Sequence, residues 1–156
     1  YRRQRQMCIR DSCVDEQGYE GEAAMLLEAC ALRSAAGGSY GEELTASGPS
    51  WGPLLSGILE DLRRGTAVET IARRAHDTVI ASVVRQMDSI RTLSTIERVV
   101  LSGGCFNNVL LLEGIGNGLH EKGFTVLTHR TLPPGDGGLA AGQTLAALHA
   151  LNIDSN

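Results

Sequence analysis

Val99-Val100-Leu101-Ser102-Gly103-Gly104-Cys105-Phe106-Asn107-Asn108-Val109-Leu110-Leu111-Leu112 is the stretch from which the fold can be read. An apolar run that stops at Ser-Gly-Gly and resumes as a leucine-rich segment predicts a buried strand, a tight turn and the start of a helix. Adjacent glycines permit positive φ and let a ligand approach N–H groups that no Cβ shields. A helix N-terminus adds unpaired N–H groups and a partial positive charge, which stabilise an anion. Asn107 or Asn108 is placed to cap that helix or to turn its amide toward a ligand. The plain alternative is that Gly-Gly merely connects strand to helix. Neither Gly-x-Gly-x-x-Gly nor Gly-Lys-Ser/Thr follows the strand, so the turn is neither a Rossmann fingerprint nor a P-loop.

Working outward, residues 96–101 form the strand that delivers the turn. Leu110, Leu111, Leu112, Ile115 and Leu119 carry the helix on, and Gly123 stops it. Phe124-Thr125-Val126-Leu127-Thr128 alternates and has strand propensity. Strand, helix and strand in this order predict a βαβ unit with parallel strands.

A second polar turn follows: Leu132-Pro133-Pro134-Gly135-Asp136-Gly137-Gly138-Leu139-Ala140-Ala141-Gly142-Gln143. Its glycines expose a single carboxylate, Asp136, at the head of an Ala-rich helix running to about residue 151. A carboxylate there caps a helix N-terminus, the first local reading, and it can also hold a metal ion that takes oxygen ligands. Ligands of parallel sheets bind beyond the carboxyl ends of the strands, so both turns are expected to line one crevice.

Upstream, Ala23, Met25, Leu26, Ala29, Cys30 and Leu32 leave one mainly apolar side on a segment of good helix formers, predicting a buried helix. Gly21 lies at its start, either as a turn residue or facing a ligand. Residues 35–53, rich in glycine and with Pro49 and Pro53, read as a loop holding one short strand. Leu54, Leu55, Ile58, Leu59 and Leu62 then fall at helical spacing. A longer helix from 67 to about 90 places Val68, Ile71, Ala72, Ala75, Val79, Ile80, Val83, Val84 and Met87 on one stripe. His76 sits within that stripe, where a packed histidine is expected rather than a metal ligand.

At 156 residues the chain suffices for one ordinary core, and 42% apolar with 21% charged residues is a globular composition. A net charge of −4 without a strong basic cluster argues against nucleic acid as a partner. No apolar run approaches the roughly 20 residues that span a bilayer, so no membrane is expected. Cys8, Cys13, Cys30 and Cys105 form no Cys-x-x-Cys pair, which points away from zinc ribbons and disulfides and toward a reducing cytoplasm. The first residues differ from the rest: Met7-Cys8-Ile9-Arg10-Asp11-Ser12 back-translates to the end of a transposase sequencing adapter. Residues 1–12 are therefore expected to be an artefact, and residues 13–156 the truncated part of a longer domain.

Three segments in order, Tyr19-Glu20-Gly21-Glu22-Ala23-Ala24-Met25, Val100 to Asn108, and Pro133 to Gln143, resemble the C-terminal end of the HypF family, the carbamoyltransferases of NiFe-hydrogenase maturation. The resemblance implies an α/β fold, the second half of a domain of the actin-like ATPase superfold, built as a βαβ unit with several packed helices. It implies that Gly103, Gly104 and Asn108 match a Gly-Gly-Val-Phe-Gln-Asn element facing ATP or carbamoyl adenylate, and that Gly21 approaches the same ligand. Asp136 matches an Asp completing a divalent metal site, zinc or iron, whose histidine ligands lie in a motif absent from this chain.

The activity so implied passes a carbamoyl group, made from carbamoyl phosphate and ATP, to the C-terminal Cys of a HypE-like maturation protein. In that reading the Gly103 and Gly104 N–H groups hold the phosphate; no residue is assigned as general base, and the fragment alone is expected to be inactive. Cys105 and Asn107 depart mildly from the family pattern, while Val109 stands where an Arg is common, Glu22 where a Gln is, and Gly135 where an Asn is. A small-molecule O-carbamoyltransferase, tRNA-modifying relatives, and an actin-like sugar or acetate kinase are the alternative activities. A further alternative is a half-cleft that binds nothing and aggregates through exposed apolar surface.

Overall fold

A computed structural model describes residues 18–41, 43–45 and 48–153. Segment 1–12, with Cys8, and Cys13 beyond it lie outside the described residues. The elements are α1 (Glu22–Ala31), β1 (Glu43–Thr45), β2 (Gly48–Ser50), α2 (Gly52–Arg63), α3 (Val68–Leu93), β3 (Arg98–Leu101), α4 (Val109–Glu121), β4 (Thr125–Thr128) and α5 (Leu139–Ile153). Two short 3₁₀ turns, Gly104–Asn107 and Asp136–Gly138, precede α4 and α5.

The βαβ unit is present as expected. β3 and β4 pair in parallel with Arg98 opposite Thr125 and Leu101 opposite Thr128. Gly123, at φ +83, follows the last turn of α4 in the left-handed conformation that ends helices, and so turns the chain into β4. The alternation of the strands sends Val99, Leu101 and Val126 inward, where they meet Ile115, Leu119 and Phe124; Ile80, Val83, Val84 and Met87 of α3 close this core. The glycines inside α4 have a packing reason. A Cβ on Gly118 would lie 2.7 Å from Val84 Cγ2, and one on Gly114 would collide with Ile80, so these positions let α3 and α4 approach closely.

The loop after α1 is stitched to α3 by side chains. Tyr40 N–H donates to Thr78 Oγ1 (2.9 Å) and Gly38 N–H to Asp77 Oδ2 (3.1 Å). Buried Asp61 on α2 accepts from the Tyr40 hydroxyl (2.7 Å), Arg74 Nη1 (2.8 Å) and Thr66 Oγ1 (3.2 Å). The Tyr40 bond first, and Arg74 with it, holds the Asp61 carboxyl below the usual carboxylate range. Burial, then the same carboxylate, pushes the Tyr40 phenol above the ordinary tyrosine range. At the far end of α3, Arg91 stacks 4.6 Å from the Phe124 ring centroid and Asp88 binds both Arg91 and Lys122.

Two expectations are corrected. Residues 35–53 hold two strands, not one, paired antiparallel as a hairpin with Glu43 opposite Ser50. α1 is not a buried helix: it packs on α3 through its Ala31 side, and Met25 and Leu32 are exposed because no described element lies over its other face. Leu55, Leu59 and Leu62 of α2 are likewise exposed, and the residue that α2 buries is Asp61, held by its hydrogen bonds. The outer face of the sheet (Val100, Leu127) and the leucines of α5 are also exposed.

Candidate functional site

The turn after β3 is built by its glycine. Gly103 has φ +109, a conformation that side-chain-bearing residues rarely adopt. That twist turns the Gly103 N–H onto the Pro134 carbonyl (2.7 Å), which ties the first polar turn to the second. The two turns abut: a Cβ on Gly135 would lie 3.5 Å from Gly104 Cα. Gly138 closes the second turn, where a Cβ would come within 2.6 Å of Pro133 O.

This geometry changes which donors are available. Gly103 N–H, expected to face a phosphate, is engaged within the protein. The N–H groups of Gly104 and Cys105, in the first turn of the 3₁₀ segment, have no partner among the described residues. Nothing within 4 Å would meet a Cβ at Gly104, so the approach to these donors is open.

The N-terminus of α4 is already filled. Asn108 Oδ1 accepts from Leu111 N–H (3.0 Å) as an N-cap, and Glu28 Oε1 on α1 accepts from Val109 N–H at 2.6 Å. A carboxylate there takes up the helix charge, so the expected anion site at this helix end is satisfied by the chain itself. Asn108 is fixed from behind: its Nδ2 donates to Nε2 of buried His76 (2.9 Å), whose Nδ1 faces Ala72 O (2.8 Å). A carbonyl only accepts, so Nδ1 carries the proton and Nε2 the lone pair. His76 is the packed histidine that its place in the apolar stripe predicts.

Between the two turns and α5 lies an open cleft of about 550 Å³. Gly103, Gly104 and Asp136 line it, together with Ser102, His129 and Gln143. Gly21 and Asn108 are not among its lining residues. Gly21 adopts φ +84 at the head of α1, and α1 meets the head of α4 through Glu28.

The Asp136 side chain caps no helix and has no hydrogen bond from the described residues; it stands exposed in the cleft. Among the described residues no group of three or more His, Cys, Asp or Glu converges, so these residues do not fit a complete metal site. His129 was not foreseen. Its Nε2 lies 2.9 Å from Ser102 Oγ, which also donates a long bond (3.4 Å) to Pro134 O. The signal was present in the register: each residue follows directly on the paired strand ends Leu101 and Thr128.

Comparison with known proteins agrees with this architecture. The family described as "Carbamoyltransferase, Kae1-like Domain, second subdomain" matches residues 8–143, and the chain belongs to that family. It is 33% identical to carbamoyltransferase HypF of Synechocystis sp. over 141 residues, 88% of this chain and 18% of the relative. It is 33% identical to HypF of Rhodobacter capsulatus over 144 residues, 92% of this chain and 18% of the relative. Among solved structures, full-length HypF in its phosphate- and nucleotide-bound form superposes with a TM-score of 0.78 at 33% identity, covering 88% of this chain and 18% of that one. HypF of T. kodakarensis gives 0.77 at 26% identity, with 90% and 18% covered. The chain thus spans about a fifth of the length of the relatives it matches.

Proposed function

We propose that this segment forms one wall of the reaction cleft of a carbamoyltransferase. The intact enzyme forms carbamoyl adenylate from carbamoyl phosphate and ATP and passes the carbamoyl group to the C-terminal Cys thiolate of a HypE-like protein. The acceptor carries it toward the cyanide ligands of a NiFe hydrogenase. The observation that carries the reading is the pair of open N–H groups at Gly104 and Cys105, set at the carboxyl ends of parallel strands. Gly104 lines the cleft and Cys105 follows it in the chain; fixed backbone donors suit a phosphate oxygen and cost no reorganisation when charge develops there. The nucleotide-bound state of full-length HypF supports the choice of ligand.

Within this reading Gly104 and Cys105 bind the nucleotide phosphate. Gly103 and Gly135 hold the two turns in contact, and Asn108 and Gly21 support the wall from outside the cleft. Asp136 is the carboxylate among the described cleft-lining residues that would serve a zinc or iron ion completed by histidines elsewhere; no step is derived through it. The free thiols of Cys30 and Cys105 support a cytoplasmic setting, and no described helix is long and apolar enough to cross a membrane.

The test is made on the intact protein carrying this segment. Carbamoyl-phosphate-dependent cleavage of ATP to AMP and pyrophosphate, followed by transfer of labelled carbamoyl to a HypE-like acceptor, is the expected result. ATP turnover that needs a sugar or acetate, or carbamoylation of a small hydroxylated molecule in place of the cysteine, overturns the reading.

A further inference from the structure

The parallel register sets two side chains together beyond the strand ends. Leu101 pairs with Thr128, so Ser102 and His129 emerge next to each other, and His129 Nε2 meets Ser102 Oγ at 2.9 Å. Both line the cleft that holds Gly104 and Asp136. Ser102 Oγ is also 3.4 Å from Pro134 O, a group that only accepts. With the hydroxyl proton on that carbonyl, Oγ accepts from Nε2–H and the lone pair of the imidazole is on Nδ1. His129 Nδ1 has no partner among the described residues.

We propose that His129, held in this tautomer by Ser102, is the general base that takes the proton from the thiol acceptor during carbamoyl transfer. The proposal rests on the carbamoyltransferase reading and adds to it the base which that reading leaves unassigned. Apart from Asp136, His129 is the ionisable side chain lining the cleft, with Arg130 next in the chain. An imidazole is the side chain suited to accept a proton near neutral pH. In the step, the thiol S–H proton passes to Nδ1 as sulfur bonds to the carbamoyl carbon. The bond from that carbon to the phosphate oxygen breaks, and its electron pair leaves on AMP. The imidazolium then returns its proton to solvent. Gly104 N–H, in the same cleft, is placed to receive the leaving phosphate, and Ser102 is a positioning residue.

The test compares wild type, His129→Gln, His129→Ala and Ser102→Ala in the intact protein carrying this segment, with adenylate formation and thiol carbamoylation measured separately. Expected for His129→Gln are a fall in the transfer kcat of about 100-fold or more against a much smaller change in pyrophosphate release, little change in KM, and an altered pH profile of transfer. Added imidazole restores part of the His129→Ala transfer rate, and Ser102→Ala lowers kcat less. Transfer by His129→Gln at the wild-type rate with the same pH profile overturns this inference alone. Absence of transfer by wild type overturns the parent reading as well. Nitrogen NMR of the wild-type imidazole is a check that needs no variant to fold: a proton on Nε2 is expected, and a proton on Nδ1 in the neutral form sinks the assignment.

Discussion

His76 on α3 and Asn108 at the head of α4 share one hydrogen bond of 2.9 Å that fixes the orientation of both ring and amide. Because His76 Nε2 can only accept, Asn108 must present Nδ2 to it, and Oδ1 is thereby turned to the Leu111 N–H. Removing either side chain strands a group that the other satisfies. His76→Leu is expected to cost about 1–3 kcal/mol for the group left unpaired, and Asn108→Ala about 1 kcal/mol or more for the lost cap. Urea unfolding of the single and double variants checks this: the double variant should lose less than the sum.

Asp61 is expected to make the protein acid-sensitive. Its folded carboxyl sits below the ordinary range, held chiefly by Tyr40, so its contribution is complete above the unfolded carboxylate pKa and is lost as pH falls through the folded value. Tyr40 acts oppositely: its folded phenol is raised, so its contribution is present below the ordinary tyrosine pKa and is lost as pH rises beyond it. Thermal melts across pH should decline at both extremes. Asp61→Asn should be less stable at neutrality and show a flatter acid limb, whereas an unchanged acid limb would refute the assignment.

Neighbouring glycines of α4 should respond with opposite signs to the same methyl group. At Gly118 the added Cβ meets the stiff Val84 side chain at 2.7 Å, so Gly118→Ala should destabilise by about 1–3 kcal/mol. At Gly116 nothing lies within 4 Å, and alanine should gain up to about 1 kcal/mol of helix propensity. Denaturation midpoints of the two variants decide it.

The adjacent glycines of the first turn separate folding from binding. Gly103→Ala places a side chain at φ +109 and should lose about 1 kcal/mol or more. Gly104→Ala meets open space and should leave stability within about 0.5 kcal/mol. Its methyl nevertheless stands over the free N–H, so nucleotide affinity, read by calorimetry on the intact protein, should fall at least several-fold. Equal affinity for the Gly104→Ala variant would remove the phosphate from this turn.

The βαβ unit was legible because its signals are local: an apolar run in the first strand, alternation in the second, Ser-Gly-Gly at one turn and Gly123 at the other. The second strand of the hairpin, Gly48–Ser50, carries a glycine and a proline and could not be read, since its pairing with Glu43–Thr45 is set by the partner strand. Burial departs from the reading on α1, where Met25 and Leu32 of the apolar side are exposed, because periodicity names a face without saying what covers it. In the site, the sequence reading assigns the phosphate to the N–H groups of Gly103 and Gly104 together. Only the backbone path shows that the Gly103 N–H turns to Pro134. His129 looked like an ordinary residue beyond a strand, and its meaning came from Ser102 across the register.

That register has a consequence for how molecules of this protein differ from one another. Alignment of Leu101 with Thr128 is what brings Ser102 beside His129, and a slip of one residue in β4 would set Thr128 or Arg130 there instead. Such a molecule could keep its helices and still lack the pair. The Ser102–His129 contact therefore reports the fidelity with which two strands, separated in sequence by a whole helix, have found each other, and helix content measured by circular dichroism would be blind to the difference.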